Sequence, residues 1–187
     1  MNFIKNYFSR LTEIMNAIDV KSIEKVIEIF DKTRISGNNI YFIGNGGSAA
    51  TAAHFSNDLN SIKLNPKFKA RSLAVNMATI TAIANDYDYE SVFSKQLESC
   101  LKKDDVLVAI SASGNSKNII KAMTCAGKIG AMTIGLTGFG GGELKDISMH
   151  VVYVKTNKGE YGPVEDVHLI LDHLISAYFI EKIKRRR

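Results

Sequence analysis

Asn39-Ile40-Tyr41-Phe42-Ile43-Gly44-Asn45-Gly46-Gly47-Ser48 and Val106-Leu107-Val108-Ala109-Ile110-Ser111-Ala112-Ser113-Gly114-Asn115-Ser116 share one pattern: a short apolar run that ends in glycine, serine and asparagine. Runs of this length and β-branched content read as buried parallel strands, and helix-like sequence follows each loop. Glycine lets the backbone approach a ligand closely, while serine hydroxyls and free amides at a helix N-terminus donate to negative oxygens. The pair therefore reads as two anion-holding turns. Neither loop ends in the Lys-Ser or Lys-Thr of a P-loop, and neither has the GxGxxG spacing of a dinucleotide site.

Outward from these two stretches the chain alternates. Strands are expected near 39–43, 71–75, 105–110, 131–136 and 150–154, and helices near 47–61, 77–85, 91–102, 116–129 and 164–183. Repeated βα units predict an α/β fold with a mainly parallel sheet and helices on both faces. Ligands bind such sheets beyond the carboxyl ends of the strands, where both loops fall. Ahead of the first strand, residues 2–36 carry apolar side chains at helical spacing, including Phe3, Ile4, Tyr7, Phe8 and Leu11, then Ile23, Val26, Ile27 and Phe30. They read as a hairpin of two amphipathic helices, with faces for the sheet or for a second chain.

The 187 residues, 45% of them hydrophobic, suffice for one domain with a substantial core, and residues 1–187 are expected to form one. No apolar run approaches membrane-spanning length, and Lys5, Asn6, Ser9 and Arg10 interrupt any signal-peptide core, so a cytoplasmic protein is expected. Cys100 and Cys125 sit in no CxxC arrangement and suggest buried thiols. The net charge of +5 comes from Lys182, Lys184, Arg185, Arg186 and Arg187; without them 19 basic residues face 19 acidic ones. That tail reads as a solvated helix end rather than a nucleic-acid footprint.

Few residues can carry chemistry. His54 has Asp58 four residues later on the same helix face, a spacing that suits an acid/base pair or two ligands of one metal ion. On the last helix Glu165, Asp172 and Ser176 fall on one line, with His168 on one side and His173 on the other. A polar stripe on so apolar a helix is either a solvent face or directed at a ligand. Asn85-Asp86 reads as a turn or cap, or as a pair facing sugar hydroxyls. His150 has no visible partner and is given no role.

In this order the motifs resemble the sugar isomerase (SIS) domain family, and within it the branch that isomerises seven-carbon sugar phosphates. The resemblance rests on Gly44 to Ser48 with His54-Phe55, Ala84-Asn85-Asp86, Ile110 to Ser116, Leu136-Thr137-Gly138 with Gly141-Gly142, and the helix of His168 and His173. It implies an αβα sandwich with a five-stranded parallel sheet, a homotetramer, and active sites near subunit interfaces. At matching positions it implies that Asn45, Gly46, Gly47 and Ser48 contact substrate, that Asn85 and Asp86 bind its hydroxyls, and that Ser111, Ser113 and Ser116 hold its phosphate. It implies a metal site, usually zinc, at His54, Asp58, Glu165 and His173, with Glu165 also at the substrate and Asp58 and His173 as the catalytic acid/base pair. The family has Glu where this chain has Asp58, Gln where it has Glu165, and commonly Thr at Ala112. The implied reaction converts sedoheptulose 7-phosphate to D-glycero-D-manno-heptose 7-phosphate through an enediol, for bacterial lipopolysaccharide or capsule. A non-enzymatic branch of the same fold binds the bacterial replication initiator, and Ser48-Ala49-Ala50 and Thr81 to Asp86 resemble it too. The retained carboxylate at 58 and histidine at 173 favour the enzyme. A sugar-phosphate sensor would need a DNA-binding segment that this sequence does not carry.

Overall fold

The computed structural model describes residues 2–185. Two helices come first, α1 (Asn2–Asn16) and α2 (Val20–Ile35); the Asp19 carboxylate caps α2 by accepting from the Lys21 amide at 3.0 Å. The alternating part follows as β1 (Ile40–Gly44), α3 (Gly46–Ser61), β2 (Ala70–Ser72), α4 (Met77–Asp86), a 3₁₀ turn at Tyr89–Ser91 and α5 (Ser94–Cys100). It continues as β3 (Val106–Ser111), α6 (Lys117–Ile129), β4 (Met132–Thr137), α7 (Gly142–Ile147), β5 (His150–Tyr153) and α8 (Tyr161–Lys184).

All five strands are parallel, in the order β2-β1-β3-β4-β5. Side chains alternate across the sheet and are buried on both faces, which is why β1 and β3 read as unbroken apolar runs. Ile40, Phe42, Val106, Val108 and Ile110 face a core completed by Val26 and Phe30 of α2, Phe55 of α3, and Leu171 and Phe179 of α8. Tyr41, Ile43, Leu107 and Ala109 face the other way, onto Leu97 of α5, Ile119, Ala122 and Met123 of α6, and Leu144 of α7. The expected αβα sandwich is thus formed, with the helical hairpin in its first layer.

The strand order reverses beside β1. The chain leaves β1 for α3 on one face and leaves β3 for α6 on the other, so a crevice opens between the two strand ends. Both glycine-serine loops border it.

The differences from expectation lie at edges. The edge strand β2 stops at Ser72, whose hydroxyl accepts from the Ala74 amide and turns the chain out of the sheet. The helix expected over 91–102 divides into the 3₁₀ turn and α5, and α7, six residues behind a run of glycines, was not anticipated. The basic end of α8 is not simply solvated: Lys182 meets Asp31 of α2 at 2.6 Å, and Asp31 also holds the buried Arg34 at 2.6 Å. Arg186 and Arg187 lie outside the described residues. Among the described residues no helix is long and apolar enough to cross a membrane.

Candidate active site

A pocket of about 140 Å³ lies in the crevice, lined by Asn45, Ser48, Ser111, Ser113, Ser116, Tyr161 and Glu165 together with Ile110 and Ala112. The first loop reaches it through Asn45 and Ser48 and turns at Gly46, whose φ of +53° is the left-handed region that glycine adopts without strain. Asn45 occupies the N-cap position of α3, yet its side chain does not cap. It pairs instead with Asn118 on the first turn of α6, each amide donating to the other at 2.9 Å, and the Tyr89 hydroxyl donates to the same Asn45 oxygen at 3.1 Å. This amide pair, buried on the Asn118 side, bolts the two loops together. Asn118 was not anticipated, because its partner lies 73 residues away.

The second loop is folded on itself and braced from behind. Ser111 Oγ accepts from the Gly114 amide at 3.2 Å, and Ser113 Oγ from the Asn115 amide at 3.3 Å. Gly114 has φ +65°, and a side chain there would strike the Gly141 carbonyl. The amides of Leu144 and Glu143 donate to Gly114 O at 2.9 Å and to Asn115 Oδ1 at 3.0 Å. The Thr137 to Gly142 stretch is therefore the buttress of this loop. The Ala112 methyl packs against Phe139 and Val164. Ser116 sits at the N-cap of α6 without a capping bond from its side chain, which leaves its hydroxyl free for the pocket.

Helix α8 closes the third side. Its N-cap residue Glu160 takes a two-pronged bond from Arg10 of α1, at 3.0 and 2.9 Å, which fixes Tyr161 beside the pocket. The Glu165 carboxylate lies over Gly47, in the space a β carbon there would need.

A second group lies further along the same helix pair. One atom each from His54, Asp58, Asp172 and His173 falls within 4.8 Å of the other three. The Nε2 atoms of His54 and His173 are 3.1 Å apart, and His54 Nε2 is 3.5 Å from Asp58 Oδ2. Asp172 is fully buried; its Oδ1 accepts from Ser176 at 3.3 Å, and its Oδ2 has no hydrogen-bond partner among the described residues. Burial first, then the Asp58 carboxylate, push the Asp172 carboxyl up to about 7. Two imidazoles, two carboxylates and an orphaned buried oxygen fit a divalent cation such as zinc.

Three of the four expected metal ligands, His54, Asp58 and His173, are in this group. Glu165 is not, and Asp172 is. The helices explain it: Gly47 precedes His54 by seven residues on α3, and Glu165 precedes Asp172 by seven on α8. The two helices run side by side in the same direction, so Glu165 is level with the loop and Asp172 with His54, about 10 Å apart along the axis. Asn85 and Asp86 end α4 at the surface, bonded to each other at 3.0 Å, and do not line the serine pocket. Their helix borders an apolar hollow beside it, with Thr81 and Ala84 facing Asn45 and Tyr89. His168 is fully buried, away from the group, and burial lowers it to about 4, with the Thr137 carbonyl acting weakly the other way.

A parallel sheet of this order with two serine-bearing loops at its switch point is the arrangement of a phosphosugar domain. Residues 4–138 match the SIS domain family, and the chain belongs to it. The nearer likenesses are more particular. The chain is 42% identical over 155 residues to the phosphoheptose isomerase of Akkermansia muciniphila, covering 82% of this chain and 81% of that one. It is 42% identical over 166 residues to the probable phosphoheptose isomerase of Thermoplasma acidophilum, covering 86% and 90%. Among solved structures, the phosphoheptose isomerase of Neisseria gonorrhoeae superposes with a TM-score of 0.86 at 28% identity, over 95% of this chain and 97% of that one.

Proposed function

We propose that residues 1–187 act as one aldose–ketose isomerase unit, converting sedoheptulose 7-phosphate to D-glycero-D-manno-heptose 7-phosphate through an enediol. The observation that carries this reading is the spacing of the two groups. Ser48 and Glu165 of the pocket stand about two turns of α3 and α8, roughly 10 Å, before His54 and Asp172 of the group, so one elongated sugar phosphate can lie along the helix pair. The named relatives support the same substrate.

In this reading Ser111, Ser113 and Ser116 bind the phosphate, with Asn45, Gly46, Gly47 and Ser48 along the chain of the sugar. Glu165 orients hydroxyls from the α8 side, and Asn85 and Asp86 do so from the exposed end of α4. The Asp58 carboxylate takes a proton from C1, next to the carbonyl, and returns it to C2. His173 moves the hydroxyl proton between O1 and O2, so that the ketose leaves as an aldose with no net change of atoms. Each of the two has a second heteroatom, which is what allows it to face a metal as well. His54, Asp58 and His173 would hold zinc, which when bound would polarise the carbonyl oxygen, a catalytic zinc being able to accept a fifth ligand beyond its four.

A homotetramer is supported by the outer face of α1, where Phe3, Ile4 and Phe8 stand exposed at 79%, 59% and 63%. A phosphorylated substrate supports a cytoplasmic setting, since a charged sugar phosphate does not cross membranes unaided. An initiator-binding adaptor would have no use for the His/Asp group. The test is a coupled assay on sedoheptulose 7-phosphate with metal-analysed protein, with and without chelator. Aldose phosphate formation that chelator abolishes and zinc restores is expected; absence of turnover by zinc-loaded protein contradicts the reading.

A further inference from the structure

We infer that Asp172, rather than Glu165, is the fourth protein ligand of the metal site, which leaves the Glu165 carboxylate to the sugar pocket. The inference rests on the metal-bearing site proposed above and changes what holds the ion. Neighbouring ligand atoms around tetrahedral zinc lie about 3.3 Å apart. Two edges of such a figure already exist, the 3.1 Å between the imidazoles and the 3.5 Å from His54 to Asp58. The fourth corner needs an oxygen at the same level of the α3–α8 seam. Asp172 supplies one within 4.8 Å of all three.

The state of Asp172 points the same way. A fully buried carboxylate with an unbonded oxygen is costly unless something pairs with it. Ser176 serves only the other oxygen. A cation between the two helices would pair the orphan and at the same time relieve the crowding of Asp172 and Asp58. Glu165 is only partly buried, so its carboxylate does not need a cation to pair with. It stands two turns earlier on α8, against Gly47 and within the serine pocket. The two carboxylates of the α8 stripe thus separate into one that meets the ion and one that meets the sugar.

The test is zinc titration by calorimetry into chelator-stripped full-length protein, comparing wild type, Asp172→Asn and Glu165→Gln. Wild type is expected to bind one zinc per chain. Loss of an outer hydrogen-bonding partner already weakens metal sites about 10–100-fold, so loss of a ligand in Asp172→Asn is expected to weaken zinc at least a hundredfold. Glu165→Gln should bind within about threefold of wild type. The metal-free Asp172→Asn protein should melt no lower than metal-free wild type, since a buried unpaired carboxyl has been neutralised. Wild-type affinity in Asp172→Asn, a matching loss in Glu165→Gln, or no zinc on wild type overturns the inference. Should Asp172→Asn not fold, zinc X-ray absorption decides: two imidazoles and two carboxylates, unchanged by Glu165→Gln, support it, and a changed shell refutes it. Sugar turnover enters none of these readings, so failure of the isomerase proposal and failure of this one are separately visible.

Discussion

The carboxylate of Glu165 occupies the place of the side chain that Gly47 lacks. The contact joins the first turn of α3 to the first turns of α8 and brings an acid to the rim of the serine pocket. Alanine at 47 must displace it. Because the obstructing atoms are the far end of a flexible side chain, and alanine is the better helix former, stability should change by less than about 1 kcal/mol. Activity should respond instead: Gly47→Ala is expected to lower kcat/KM about tenfold, as is Glu165→Ala. The double variant should be no worse than Glu165→Ala alone, the non-additivity of residues acting through one contact. Fully additive losses would show that Gly47 matters for another reason.

Ser116 separates a capping role from a binding role. An N-cap serine replaced by alanine ordinarily loses about 1 kcal/mol. Here the side chain makes no capping bond. Ser116→Ala is therefore expected to unfold in urea within about 0.5 kcal/mol of wild type, while KM for the phosphorylated sugar rises about tenfold or more, the worth of one hydrogen bond to a charged group. A full capping loss with unchanged KM would remove Ser116 from the phosphate site.

His168 makes stability depend on acid. Its folded value of about 4 lies below the ordinary 6.5 because burial disfavours the charged ring. The unfolded chain therefore takes up the proton first as pH falls. The stabilisation is complete above about 6.5 and is lost progressively down to about 4, amounting to roughly 3 kcal/mol. Urea denaturation between pH 7 and 4 should show wild type losing stability relative to His168→Leu by that amount, the comparison cancelling the opposing contribution of Asp172, which takes up its proton in the folded protein over the same range. An identical slope in both would mean that His168 is not the titrating group.

What could be read from sequence was what is local. Gly44 to Ser48 and Ser111 to Ser116 announce themselves through composition and through the apolar runs before them, and the parallel sheet follows from that alternation. His54 and Asp58 are one helical turn apart and needed no tertiary knowledge. Asp172 and Glu165 were visible as one stripe, but a stripe gives direction and not level. Which of the two meets His54 is decided by how α8 slides along α3, and that is set by Leu171, Ile175 and Phe179 in the first core. The Asn45–Asn118 pair joins distant segments and has no local signature. The short α7 carries too few residues to display a period, yet it braces the Ser111–Ser116 loop through Leu144.

The proton transfers assigned to Asp58 carry the account's central claim, and solvent deuterium reads them directly. Sedoheptulose 7-phosphate incubated with zinc-loaded enzyme in deuterated water should give aldose phosphate bearing solvent deuterium at C2, because the proton held by Asp58 in the enediol state exchanges before it returns. Asp58→Asn should lower both turnover and incorporation about a hundredfold or more while still binding the sugar phosphate. Turnover with full incorporation in Asp58→Asn would contradict the account.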